Sequence, residues 1–115
     1  MNNLLNQVQL VGNLGKDVEG LDFEDGKKLA KVTMATNAFY YKDGERQQTT
    51  RWHNIVAWGK TAELMIKLGQ KGTRMLVQGK LNTRDYETKE GQRRQQTEVV
   101  VDQFLVINTS QENPF

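Results

Sequence analysis

Apolar and polar residues alternate with a period of two along most of this chain, and the period changes once. Val8 and Leu10 alternate with Gln7 and Gln9, which predicts a half-buried strand over residues 5–14. A second strand is predicted over residues 28–41, through Val32-Thr33-Met34-Ala35-Thr36 to Phe39-Tyr40-Tyr41, and a third ends in Ile55-Val56-Ala57-Trp58 with Gly59 as its stop. Residues 61–69 place apolar side chains at 62, 64, 65, 66 and 68, a short helix with Thr61 as candidate cap and Gly69 as stop. Residues 72–81 alternate most clearly: Met75, Val77 and Leu81 share one face, while Arg74, Leu76, Gln78 and Lys80 share an exposed, basic one. Residues 83–87 continue as strand, Lys89-Glu90-Gly91-Gln92 turns, and Arg93-Arg94 leads back into Glu98-Val99-Val100-Val101-Asp102 before a final strand at Phe104-Leu105-Val106-Ile107. Asp25-Gly26 and Lys42-Asp43-Gly44-Glu45 are hairpin-turn signals. Gly12 and Gly15 mark a bulge or bend; the spacing of a phosphate loop or dinucleotide fingerprint is absent. About five strands with one helix between the third and fourth predict a small closed all-β barrel over residues 1–107, followed by a short tail over residues 108–115.

Composition narrows the function. At 115 residues the chain is one domain by length. It has no cysteine and one histidine, so a disulfide framework, a thiolate metal site and a multi-histidine zinc site are excluded. The first residues carry no basic, then apolar, leader pattern, and no stretch approaches the roughly 20 apolar residues of a membrane span. The expectation is a soluble, cytoplasmic protein with no membrane contact. Charge is unevenly spread. Residues 27–84 hold twelve Lys or Arg against three acids, while the segments before and after are net acidic. A basic middle that also carries the aromatics points to a polyanionic partner.

The stretch Arg51-Trp52-His53-Asn54-Ile55-Val56-Ala57-Trp58-Gly59-Lys60 concentrates the candidate chemistry. In a strand, Trp52, Asn54, Val56 and Trp58 share one face and His53, Ile55 and Ala57 the other. Alternation fixes this common side and leaves open whether the tryptophans meet the core or a ligand. Asn54 between them favours a ligand, because a buried amide needs partners. One histidine with no cysteine offers no nucleophile–base constellation, so no catalytic residue is assigned, and His53 reads as a hydrogen-bonder in the core or at an interface. Binding of unpaired nucleic acid needs flat rings for bases and cations for phosphates. The candidate rings are Tyr40, Trp52, Trp58 and Tyr86, with Phe39 and Tyr41 as further rings. The candidate phosphate contacts are Lys42, Arg51, Lys60, Arg74, Lys80 and Arg84, together with Arg93 and Arg94 at the hairpin tip.

Longer motifs carry a resemblance. Leu10-Val11-Gly12-Asn13-Leu14-Gly15-Lys16-Asp17, Thr33-Met34-Ala35-Thr36, the run from Trp52 to Glu63, Lys71-Gly72, Val77-Gln78-Gly79-Lys80-Leu81-Asn82-Thr83-Arg84 and Thr97-Glu98-Val99-Val100-Val101 occur in an order and spacing that resembles the bacterial single-stranded DNA-binding proteins of replication, recombination and repair. The resemblance implies an OB-fold barrel, a homotetramer that wraps single-stranded DNA without sequence preference, no cofactor, no metal, and a nucleoid-associated location. It implies base stacking on Tyr40, Trp52, Trp58 and Tyr86, and a subunit contact at His53. The family tail is usually long and ends in several acids before Pro-Phe. Here Pro114-Phe115 matches the last two positions and Glu112 is the lone acid, so recruitment of replication and repair proteins is left open. A related dimeric primosomal protein, an assembly module whose rings form a protein interface, and an RNA binder are the other readings the residues allow.

Overall fold

The computed structural model describes residues 5–107. Strand β1 runs Val8–Leu14, β2 Glu19–Asp22, β3 Lys28–Lys42, β4 Glu45–Trp58, β5 Arg74–Glu87 and β6 Arg93–Val106, with one helix, α1, at Gly59–Leu68. The sheet order is β1-β5-β6-β4-β3-β2, and Asn13↔Ala35 and Leu14↔Met34 join β1 back to β3. Five strands therefore close into a barrel, as the alternation predicts, with α1 between the third and fourth of them. All neighbours are antiparallel except β4 and β6.

Alternate residues fill the barrel. Ala30, Val32 and Met34 of β3, Ile55 and Ala57 of β4, Met75 and Val77 of β5, and Val99 and Val101 of β6 point inward. Ala62 and Met65 of α1 complete this core from the end. Burying a side chain of the size of Met34 or Ile55 contributes about 1.5–3 kcal/mol, so these positions carry most of the cohesion of a small core. Gly12 makes closure possible: a Cβ there would fall on the carbonyl oxygen of Ala35 and 2.8 Å from Met34 Cγ.

Four expectations need correction. The acidic segment after Asp17 contributes the short strand β2, paired from Glu19↔Lys31 to Asp22↔Lys28; all four residues are exposed, so no alternation announces it. The helix begins at Gly59 rather than Thr61, and no side chain caps it. Gly59, at φ +64°, turns the chain directly from β4 into the helix, and Thr61 already lies in the first turn. Leu81 keeps the parity of Met75 and Val77 but is exposed. Beyond Gly79 the β5–β6 hairpin leaves the barrel, and there the Leu81 backbone is held by the Asn6 side chain, which donates to its carbonyl and accepts from its amide at 3.1 and 3.0 Å. Finally, residues 93–106 form one strand, with Asp102 the extra residue where the β5–β6 register shifts at Gln78/Gly79. The Pro114-Phe115 tip lies outside the described residues.

Candidate nucleic-acid interface

Register decides which side chains share a surface. Across β3–β4 the pairs Leu29↔Trp58, Lys31↔Val56, Thr33↔Asn54, Ala35↔Trp52, Phe39↔Gln48 and Tyr41↔Arg46 all project from one face. The parallel pairs Asn54↔Glu98 and Val56↔Val100 carry that face onto β6, and Lys80↔Val100, Asn82↔Glu98, Arg84↔Gln96 and Tyr86↔Arg94 carry it onto β5. Trp52, Trp58 and Tyr86 thus stand on one outer face, where the tryptophans are 60% and 46% exposed. The reverse side of β4 holds buried Ile55 and Ala57. The question alternation left open is answered: the tryptophan face looks outward.

The same pairing divides the candidates. Lys80, Arg84 and Arg94 lie on the tryptophan face. Arg74 joins it through the row Arg74↔Asn13↔Ala35↔Trp52, three strand spacings or roughly 14 Å from Trp52. Lys60 lies beside Trp58 at the start of α1, where both line a cavity of about 700 Å³ with Lys27 and Lys28. By contrast, Tyr40↔Gln47, Thr36↔Arg51 and Lys42↔Glu45 put Tyr40, Arg51 and Lys42 on the opposite face of the β3–β4 ribbon. Arg93, paired with Glu87, is likewise on the back of the β5–β6 hairpin. The Asp43-Gly44 turn encodes this split. With φ of 55° and 80° these two residues form a two-residue hairpin loop, which fixes every partner along the ribbon.

On this face Phe23 and Lys31 escape a reading by motif, while Phe39 is one of the further rings the sequence offers. The Phe23 ring stacks on Trp58, centroids 6.0 Å apart and planes 24° from parallel, and widens the flat surface. Phe39 shares the tryptophan face, with the Arg46 guanidinium 4.0 Å above its ring centroid. Lys31 adds a cation between the two tryptophan rows. Gly15 seats Trp52: a Cβ at that position would stand 2.6 Å from Cζ3 of the indole. Val56, although on this face, is buried beneath its neighbours. His53 is half-buried on the reverse side, its Nε2 2.8 Å from the Thr36 hydroxyl. Lys28 is neutralised by Asp22 and Glu63, each at 3.7 Å. Among the described residues, Lys31, Lys60, Arg74, Lys80 and Arg94 form no ion pair within 4 Å, and no cluster of carboxylates and imidazole could hold a metal.

A closed five-stranded barrel with a helix between its third and fourth strands, bearing exposed rings and unpaired cations on one face, defines an OB-fold of the oligonucleotide-binding type. The Single-strand binding protein family model matches residues 5–107, and the chain belongs to that family. It is similar to single-stranded DNA-binding protein 1 of Xylella fastidiosa, with 34% identity over 95% of this chain and 82% of the relative. It is also similar to single-stranded DNA-binding protein 1 of Chlorobaculum tepidum, with 38% identity over 84% of this chain and 60% of the relative. Among solved structures, the Plasmodium falciparum SSB complex with ssDNA matches with a TM-score of 0.84 and 31% identity, over 94% of this chain and all of that one.

Proposed function

We propose that this protein binds and protects single-stranded DNA during replication, recombination and repair, without sequence preference and without catalysis. The observation that carries this reading is the single face shared by Trp52, Trp58 and Tyr86 and flanked by Lys31, Lys80, Arg84 and Arg94. Bases stack on the rings while phosphates follow the cations. Tyr40, Lys42 and Arg51 serve the strand where it passes round the edge of the ribbon to the reverse face. Stacking suits any base, since every base has a flat π surface. Titration with oligo(dT) is expected to quench the emission of the two tryptophans, and a plot of log affinity against log salt is expected to fall with a slope near −0.7 per phosphate contacted. Quenching by duplex alone, or an affinity indifferent to salt, would rule this reading out.

The assembly we propose is a homotetramer, with no cofactor. Two features support it. Residues Val8–Gly12 of β1 pair with β5 on one side, and among the described residues only Asn13 and Leu14 pair on the other, leaving an open edge for a second copy. On the outer surface nearby, Val11 and Leu105 are exposed on either side of Leu76. His53, held by Thr36, is assigned to a subunit contact. Sedimentation equilibrium is expected to give four chains per particle, and Leu105→Lys is expected to shift the population to smaller species. A parent protein that sediments as a monomer at micromolar concentration would exclude the tetramer.

A further inference from the structure

Between Thr36 and Arg51 the β3–β4 hairpin has no third strand. Among the described residues β1 joins β3 at Met34 and Ala35, β2 joins it at Lys28–Lys31, and β6 joins β4 at Asn54–Val56. This part of the hairpin is a two-stranded ribbon, and its front continues the tryptophan face. The front carries two rings beyond Trp52, Trp58 and Tyr86: Phe39, 54% exposed, and Tyr41, 75% exposed. By register the Phe39 level is four residues from the Trp52 level and the Tyr41 level six, or about 13 and 20 Å along the strands. Between Trp52 and Phe39 the Thr50 hydroxyl donates to Asn37 Oδ1 at 2.8 Å and sets a polar rung. The Arg46 guanidinium stands 4.0 Å from the Phe39 ring centroid. Among the described residues it forms no ion pair within 4 Å.

We propose that Phe39, Tyr41 and Arg46 form a further stacking station for unpaired DNA, so that the strand runs out along the front of the ribbon before it passes round the edge to Tyr40. The inference rests on the single-strand reading above and extends the path beyond the three rings that carry it. Three observations select DNA as the occupant. The station is continuous with the tryptophan face by register, so one extended strand can touch both. Its charge is positive: Arg46 lies on the front, while Glu45 pairs with Lys42 on the reverse face and Asp43 sits in the loop. And the cation is seated over a ring. A guanidinium held there by cation–π attraction keeps its N–H groups for a phosphate and loses less freedom on binding than an untethered side chain. Bases then have the other face of Phe39, the Tyr41 ring and the guanidinium plane itself on which to stack. None of these contacts reads a base edge, so the station is tolerant of sequence like the rest of the path.

The test titrates labelled oligo(dT) of about 16 and about 4 nucleotides, the two ends of the site size of one OB-fold, into the parent and into Phe39→Ala/Tyr41→Ala. The variant is expected to bind the long oligomer at least about fivefold more weakly, the lower value of one lost stacked base, and the short one within about twofold of the parent. Arg46→Gln is expected to make the slope of log affinity against log salt shallower by about 0.7 for the long oligomer, one phosphate contact. Both rings lie outside the buried core, so the variant should fold. If it does not, Tyr41→Trp in a Trp52→Phe/Trp58→Phe background decides the matter, since its single indole should be quenched by the long oligomer and not by the short one. Unchanged binding of the long oligomer by the alanine variant, an equal loss at both lengths, or an unquenched indole would overturn the station. So would a smaller particle by sedimentation with DNA affinity intact, which would assign the rings to contact between copies of the chain. A parent that binds neither oligomer would sink the single-strand reading itself, a result distinct from tight binding indifferent to Phe39 and Tyr41.

Discussion

Replacing Trp52 and Trp58 together with alanine is expected to lower affinity for oligo(dT) by at least about thirtyfold while leaving the barrel folded. Each base stacked on such a ring is worth about 1–3 kcal/mol, and two lost platforms together reach or exceed that factor. The fold should survive because both rings lie mainly outside it. Trp52 rests on Gly15 and Trp58 on Phe23, and neither belongs to the buried cluster inside the barrel. The substitution removes both tryptophans of the chain, so binding has to be followed by anisotropy of a labelled oligonucleotide rather than by intrinsic emission. Circular dichroism checks that the barrel persists. Trp→Phe at both sites should recover much of the loss, because a smaller flat ring still stacks. The Tyr40→Ala variant provides a contrast: on the reverse face of the ribbon it should weaken long oligomers, which pass round the edge, more than short ones. An affinity of the double alanine variant within threefold of the parent would remove stacking from the mechanism.

Barrel and helix were legible in the sequence because both depend on strong, local periodicity. The alternation in Met75-Leu76-Val77 and in Val32-Thr33-Met34 needs no distant partner to be read. What stayed hidden depends on partners. The strand Glu19-Gly20-Leu21-Asp22 has no buried face and exists through its register with Lys28–Lys31. Leu81 continues a correct pattern past the point where the barrel ends. That Tyr40 does not share the tryptophan face has a cause the sequence does contain: a two-residue Asp43-Gly44 loop pairs Lys42 with Glu45, hence Tyr40 with Gln47 and Ala35 with Trp52. Those pairs differ in parity, so Tyr40 and Trp52 fall on opposite faces. Phe23 and Glu98 give weaker signals. A ring before a turn and a single acid ahead of three valines acquire meaning only when Trp58 and Arg84 are brought beside them.

Gly79→Ala is expected to destabilise the fold by about 3 kcal/mol or more, the upper range for forcing volume into packed structure. For a domain near this size that is a drop in melting temperature of roughly 10 °C or more at fixed protein concentration. The cause is space, not backbone conformation, since Gly79 has no positive φ. Its added Cβ would fall on the Val100 carbonyl oxygen and 3.0 Å from Val101 Cα. Those atoms cannot move aside cheaply. Val100 is registered with Val56 of β4 as well as with Lys80, and Val101 is part of the core. The register shift at Gln78/Gly79 is where β6 inserts Asp102 and where β5 leaves the barrel, so the same contact aims Arg84 and Tyr86. The protein that remains folded below the melt should therefore also bind oligo(dT) more weakly. Gly91→Ala separates the two kinds of cost. Gly91 sits in the open hairpin turn at φ +83° with no atom within 4 Å of its would-be Cβ, so only the left-handed backbone penalty of about 1–2 kcal/mol applies. A Gly79→Ala protein that melts within 2–3 °C of the parent, or no lower than Gly91→Ala, would mean that the β5–β6 backbones give way and that close approach at the bulge does not hold the barrel shut.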